Sequence, residues 1–498
     1  MNGAERHEPW QLSRRELLVL TGAGVLLAGC STLDEVQQPP RIHTVTELVA
    51  DRPFYVAHRG SQDNWPEHTA EAYRQSVEHG AKAIEVSVHA TADGVLVCHH
   101  DDRTFRMTGE DVDIADATYR DLESLSNNAR DWLGPGSQLL PIPKLEVVLA
   151  AHADTHVIFL EDKQGTNTTA LLDLMDTFKD SQAHFVWKLP GTSGRYAEAA
   201  GRGYKTWGYF TAEEFPQLAE FAGNFDYLGI NHAATDEEIV EACGYGKPVI
   251  CWEVHTRSER DRVVGLGVAG IMCANIPYVM TDGPRETADR FVTGTRAAGD
   301  LPFALAWTHQ PTITPDSSSI VLGHPDKTSY CMGSMCPIVE ESYTLSCEMR
   351  WPEKLPQDSE HAGIAFGQRD DSVYRVREPS AVGGYHLILR PDGTVELLGR
   401  QSGEVSGYNL GTIQSPAPQS GQWVRFQVTV TPESITFGRV DLDGGSDWTA
   451  TTDSTTYRGG YFWLCRNYDG VPPVEFRSVS VKPAGVPVAS VGRRRADA

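Results

Sequence analysis

The chain has 498 residues, 40% of them hydrophobic and 22% charged, with a formal net charge of −24 at pH 7. That length exceeds one ordinary hydrophobic core, so two folded domains are expected. The charge excludes a sequence-independent grip on nucleic acid, which needs basic stripes, and the basic run Arg493-Arg494-Arg495 reads as part of a solvated tail over residues 486–498.

The first thirty residues read as an export signal rather than as fold. Ser13-Arg14-Arg15-Glu16-Leu17-Leu18 looks like a twin-arginine signal, followed by an apolar run from Leu17 to Ala28. That run is shorter than the roughly 20 apolar residues a spanning helix needs. It ends in Leu27-Ala28-Gly29-Cys30, which resembles a bacterial lipobox and makes Cys30 the expected lipidation site. The chain is therefore expected to be exported and held by lipid on the outer face of a cell membrane, with residues 31–50 as a tether.

From about Phe54 to Thr293, short β-type runs alternate with segments of helical spacing, the pattern of a parallel α/β domain. The predicted strands are Phe54–His58, Ala83–His89, Val157–Asp162, His184–Leu189, Lys205–Phe210, Tyr227–Asn231, Pro248–Val254 and Gly270–Ala274. Eight such units in roughly 240 residues fit a (β/α)8 TIM barrel, assigned to residues 51–295. Val95–His99 follows the turn pair Asp93-Gly94, which favours a hairpin, so it is placed in an extended loop outside the barrel wall. That loop would carry His100 over the barrel mouth.

Residues 296–328, rich in proline and serine, read as a linker that includes some pairing with one of the domains. From Ser329 the texture changes to alternating strands separated by Gly, Asp and Pro turns, which predicts an all-β antiparallel sandwich over residues 329–485. Cys98, Cys243, Cys251 and Cys273 sit in apolar runs and read as core thiols. In an oxidising exterior, one or two disulfides are expected among Cys331, Cys336, Cys347 and Cys465, with the pairing open.

The chemistry concentrates in an ordered series: Ala57-His58-Arg59-Gly60, Pro66-Glu67-His68-Thr69, Ile84-Glu85-Val86-Ser87-Val88-His89, His99-His100-Asp101-Asp102, Leu160-Glu161-Asp162-Lys163 and Val249-Ile250-Cys251-Trp252. Two histidines can share the base and acid work of phosphodiester cleavage. Carboxylates on neighbouring strand ends form a hard oxygen site suited to Ca²⁺ or Mg²⁺.

In order and spacing the series resembles the glycerophosphodiester phosphodiesterase family over about half of the chain. The resemblance implies His58 and His100 as the acid/base pair, Glu85 and Glu161 as ligands of a divalent metal, Arg59 and Lys163 as phosphate-binding groups, and Trp252 as an aromatic pocket wall. Glu67 is expected to organise the loop after the first strand. The implied substrate is a glycerophosphodiester or lysolipid, cleaved to glycerol 3-phosphate and an alcohol. One position departs from the family pattern: Ser87 stands where relatives have an aspartate. Strand alternation puts Glu85, Ser87 and His89 on one face, so a water, Asp162 or His89 is expected to fill the gap. His68 reads as a surface or helix position, and His99 as a loop histidine.

The second domain carries phrases such as Gly383-Gly384-Tyr385-His386-Leu387 and Gly421-Gln422-Trp423-Val424 that resemble concanavalin A-like modules. Tyr374, Tyr385 and Trp448 are candidates to stack on sugar rings of the cell wall, or to be half-buried packing. Two other function classes compete. One is a catalytically weak or inactive protein that binds phosphorylated glycans or lipids. The other is a glycoside hydrolase using Glu85 and Glu161, a chemistry that the histidines and Lys163 fit poorly.

Overall fold

Each barrel strand carries a two-residue alternation that sorts its side chains between two cores. Along Ala83–Ala90, Ile84, Val86 and Val88 face a helical layer, while Ala83, Glu85 and Ser87 take the opposite face. Phe159, Val186, Trp207, Ile250 and Met272 share an inner cluster, and their strand neighbours Leu160, Trp187, Cys251 and Ile271 belong to the outer core. A sheet with two apolar faces and parallel strands has to be covered outside and filled inside, which a closed barrel achieves.

A computed structural model describes residues 41–300, 311–314, 318–323, 329–374, 378–466 and 472–485. The signal, the lipobox Cys30 and the C-terminal tail lie outside the described residues. The barrel strands are β1 (Phe54–Ala57), β2 (Ala83–Ala90), β3 (Val157–Asp162), β4 (Phe185–Pro190), β5 (Lys205–Phe210), β6 (Tyr227–Asn231), β7 (Val249–Val254) and β8 (Gly270–Cys273). They pair in parallel in chain order, and β1 closes the ring by pairing with both β8 and β2. The helix Val45–Ala50, started by a Thr44–Glu47 capping box, contributes Val45 and Leu48 to the inner core.

Leu96–Cys98 pairs antiparallel with the end of β2, outside the ring, as the turn pair before it predicts. The excursion that follows, up to the helix Leu145–His152, contains the short helices Phe105–Thr108, Tyr119–Leu122 and Arg130–Leu133.

The second domain consists of two antiparallel sheets. The seven-stranded sheet runs, in spatial order, through Thr312–Thr314, Ser319–Leu322, Val474–Pro483, Tyr343–Arg350, Val424–Val430, Ile435–Val440 and Trp448–Thr452. The six-stranded sheet runs through Ser329–Cys331, Tyr461–Arg466, Ala362–Gln368, Gly384–Leu389, Thr394–Arg400 and Tyr408–Gln414. The described part of the predicted linker thus supplies two strands of the first sheet. Two expectations are corrected here. Tyr374 and Tyr385 are buried, leaving Trp448 as the partly exposed member of that trio. The eight cysteines of the described residues are thiols, and Cys331 and Cys336 lie with Sγ atoms 4.0 Å apart, twice a disulfide length.

The domains meet through buried polar groups. The helix Arg257–Gly265 begins with a Thr256–Glu259 capping box, and its next two free N–H groups, of Arg257 and Ser258, donate to the carboxylate of Asp371 in the sandwich at 2.7 and 2.8 Å. Tyr278 Oη donates to the same carboxylate at 2.8 Å. In return the Arg257 guanidinium donates to the carbonyls of Tyr278, Gly283 and Cys336. A carboxylate at a helix N-terminus satisfies donors that have no intrahelical partner and meets the positive end of the dipole. Replacing Asp371 by Ala strands three buried donors and should cost about 2–4 kcal/mol. Urea unfolding of the full chain checks this, and an unchanged midpoint would contradict it.

Candidate active site

At the end of β1 the chain turns sharply through His58–Gly60. Gly60 has φ +80°, and a Cβ there would lie 2.7 Å from the Ala72 Cβ, so only glycine lets the turn pack on the helix Ala70–Glu78. Arg59 also lies in the left-handed region, at φ 49°, which aims its N–H at Glu85 Oε2, 3.0 Å away. The buried His58 places Nδ1 2.9 Å from Glu253 Oε2, a close ionic contact rather than a well-directed hydrogen bond. Glu253 in turn accepts from Gln62 at 3.0 Å and meets His255 Nε2 at 3.1 Å, while His255 Nδ1 meets Asp63 at 2.8 Å. Burial works against charge on His255, but Asp63 and Glu253 raise its pKa well above the usual histidine range.

His100 follows the hairpin, in the loop over the barrel mouth. Its Nδ1 lies 2.7 Å from Asp101 Oδ1, its backbone carbonyl is 3.2 Å from His89 Nε2, and its ring stacks on His68 with centroids 6.5 Å apart. Burial pulls its pKa down to about 4, against the opposing pull of Asp101, so the ring is neutral near pH 7. His58, Arg59, His100, Lys163, Lys188, Tyr209, Trp252 and Glu253 line one pocket of about 230 Å³ together with Trp207 and Met272. The structure therefore brings together both sequence-predicted histidines, both predicted phosphate-binding groups and the predicted aromatic wall.

Glu85 and Glu161 lie beneath this pocket, essentially without solvent exposure. Strand register sets them beside Lys188: Ser87 is the partner of Glu161, and Glu161 the partner of Lys188. The Lys188 ammonium donates to Glu85 Oε1 at 2.7 Å and sits 2.6 Å from Glu161 Oε2. Every other carboxylate lobe is also taken. Glu85 Oε1 accepts from Ser87 Oγ at 3.0 Å, and Glu85 Oε2 from Arg59 N–H. Glu161 Oε1 accepts from Tyr209 Oη at 2.7 Å and from Lys163 Nζ at 3.3 Å. Burial alone would raise both carboxyl pKa values, yet the neighbouring cations hold Glu85 well below the carboxylate range and Glu161 at about 2. Burial likewise opposes charge on Lys188, and the two glutamates overcome it and raise its pKa.

This donor set does not fit a divalent cation. The expectation that Glu85 and Glu161 hold Ca²⁺ or Mg²⁺ needs hard, unoccupied oxygens, whereas here a protonated amine lies between them. Of the proposed substitutes for the missing aspartate, neither Asp162 nor His89 reaches the gap. Asp162 instead accepts from Gly165 N–H, Asn167 N–H and Thr168 Oγ1, and His89 serves the His100 loop. Among the described residues, no group of three or more His, Cys, Asp or Glu side chains is arranged to hold a metal.

Other placements refine the sequence reading. Glu67 is buried between Arg59 and Arg106, and burial, which would raise its carboxyl, is outweighed by the two guanidiniums, which hold it well below the usual range. His68, expected at a surface or helix position, is buried with Nδ1 2.6 Å from Tyr73 Oη. His99 lies buried in the loop, held to the Asp101 carbonyl at 2.9 Å. Sequence reading missed Lys188, Tyr209 and Glu253. The signal for Lys188 was present: alternation along Phe185–Pro190 puts Val186 and Lys188 on the face opposite Trp187 and Leu189, where a charge has to find a partner.

Comparisons with known proteins find relatives of the barrel. Residues 58–190 match the model of the Glycerophosphoryl diester phosphodiesterase family. YhdW of Bacillus subtilis, provisionally named a glycerophosphodiester phosphodiesterase, is 26% identical over 245 residues, 47% of this chain and 99% of that protein. Glycerophosphodiester phosphodiesterase 1 of Homo sapiens is 30% identical over 115 residues, 23% of this chain and 35% of its own. Apart from YhdW, these curated relatives are spanned for a quarter to a half of their length. A solved phosphodiesterase of Oleispira antarctica in complex with sn-glycerol-3-phosphate is 18% identical, with a TM-score of 0.39 over 46% of this chain and 96% of that one. Enzymes of the family generally use a divalent metal. Through its barrel, this chain is similar to the glycerophosphodiester phosphodiesterase family.

Proposed function

We propose that the protein hydrolyses glycerophosphodiesters, derived from lipid or cell wall, to glycerol 3-phosphate and an alcohol. The observation that carries this reading is a single pocket in which two carboxylate-backed histidines face three cationic side chains, Arg59, Lys163 and Lys188. The cations receive the phosphodiester anion and neutralise the charge that grows on its non-bridging oxygens. His100, neutral at working pH, takes the proton from a glycerol hydroxyl as that oxygen bonds to phosphorus. His58, with Glu253 as counter-charge, protonates the departing alkoxide, leaving a cyclic glycerol phosphate. Water then opens the ring with the two histidines in reversed roles. The Trp252 ring, edge-on to Tyr209 at 5.9 Å, walls the pocket beside the leaving group.

The expected export and lipid anchoring join this proposal. Their support is the order of Ser13-Arg14-Arg15, the short apolar run and Leu27-Ala28-Gly29-Cys30. Among the described residues, no helix is long and apolar enough to cross a membrane. A lysolipid or deacylated lipid would then be met at the surface to which the chain is tied. A cell-wall carbohydrate is the proposed ligand of the sandwich, seated in a cleft of about 560 Å³ lined by Trp423, Trp448, Arg439 and Arg477.

Three measurements test these readings. Turnover of glycerophosphocholine should fall by about 10²–10⁴-fold in His58→Ala and in His100→Ala, and kcat/KM of the wild type should decline as pH drops through about 4, where His100 acquires a proton. Wild-type turnover indistinguishable from that of both variants would instead favour a binding protein. Replacing Cys30 by Ser should move the protein from the membrane to the soluble fraction, and a membrane-bound variant would refute the lipid anchor. Full-length protein should be retained on cell-wall polysaccharide and released by Trp448→Ala, with no retention of the wild type counting against the carbohydrate role.

A further inference from the structure

We infer that Lys188 takes the place of the divalent cation in this centre, so that the phosphate is met by an ammonium ion built into the barrel wall. The inference rests on the phosphodiesterase reading of the site and concerns what organises it. Two features of this centre meet at one point. Ser87 removes the aspartate that would complete a three-carboxylate ligand set, and Lys188 supplies a cation between the remaining two carboxylates. The two features compensate each other in charge. Two carboxylates and an ammonium sum to the same single negative charge as three carboxylates and a divalent ion.

The local geometry suits this exchange. Lys188 is held by two anions, its Nζ lies 5.4 Å from the centroid of the Tyr209 ring and 5.7 Å from that of Trp207, and it lines the pocket. An ammonium has three N–H donors. One is donated to Glu85, Glu161 lies in close ionic contact at 2.6 Å, and the ammonium still faces the pocket, where it can donate to a phosphoryl oxygen. Ser87 Oγ completes the arrangement by donating to Glu85, which a carboxylate at that position would repel. An aspartate in place of Ser87 would also set a third negative charge beside Lys188. Lys188 thus neutralises charge on the phosphate without the geometric demands of a metal, and it holds the two glutamates that position Arg59 and Tyr209.

Titration of the full-length protein with Mn²⁺, with free ion followed by electron paramagnetic resonance, tests the inference without reference to activity. The expected result is no binding to the wild type that depends on Glu85. Mn²⁺ bound elsewhere, and unchanged in Glu85→Gln, agrees with this. Stoichiometric binding that is lost in Glu85→Gln overturns it. The double variant Ser87→Asp/Lys188→Ser should acquire a Mn²⁺ site, and this gain cannot be produced by misfolding. In turnover, EDTA should leave the wild type unchanged, and Lys188→Met should lose about a hundredfold or more. An EDTA-sensitive wild type restored by added Mn²⁺ would refute the inference. If no diester is turned over, the activity reading fails, while the Mn²⁺ titration still decides the role of Lys188.

Discussion

Two glutamates buried beneath the barrel mouth can stay ionised only if something positive lies between them, and in this protein that cation is the Lys188 ammonium. Burying charge is costly unless it is paired and its hydrogen-bonding capacity is met. The remaining features of the site follow from that requirement. Ser87, Arg59 N–H, Tyr209 and Lys163 each donate to one of the two carboxylates. The Arg59 contact fixes the turn that carries His58, and the Tyr209 contact sets the ring that Trp252 meets edge-on. Removing one member would leave an uncompensated charge in a low-dielectric interior, so the cluster acts as a unit.

Above this layer the histidines are oriented by different means. His58 belongs to a rigid strand-end turn and is backed by a chain of alternating charges through Glu253, His255 and Asp63. His100 belongs to a loop, and is steadied by its neighbour Asp101, by the His89 ring and by stacking on His68. One group is thus set by the barrel and the other by the excursion after the hairpin. Glu67, clamped between Arg59 and Arg106, ties the two together, since Arg106 also pairs with Asp101. The sandwich touches the barrel at the N-terminus of the helix after β7, the strand that supplies Trp252 and Glu253, so Asp371 steadies the element that follows this wall of the pocket.

Much of the barrel was legible because period-two alternation and the flanking helical segments leave plain marks. Val157–Asp162, Lys205–Phe210 and Tyr227–Asn231 were bounded as observed, and the others differ by a residue or two at an end. The hairpin at Leu96–Cys98 was legible from Asp93-Gly94. Strand Tyr408–Gln414 was not, because it is a largely exposed edge rich in Gly, Asn and Thr, with no apolar face to mark it. Thr312–Thr314 and Ser319–Leu322 were hidden for a related reason: both are short, Thr312–Thr314 pairs with Ser319–Leu322, and that strand joins the sheet through Val474–Pro483, more than a hundred residues away.

Sequence by itself determined the barrel, the strand-end positions of His58, Glu85 and Glu161, and the loss of the usual aspartate to Ser87, since each is a matter of local pattern and spacing. Tertiary structure alone decided what fills the space that the aspartate left. Lys188 lies 103 residues from Glu85 along the chain and meets it only because barrel closure and strand register place β2, β3 and β4 side by side with those side chains turned inward. A sequence shows which charges exist. Which of them share a buried site is set by the register of strands that pair far from one another in the chain, and that register is a property of the folded barrel.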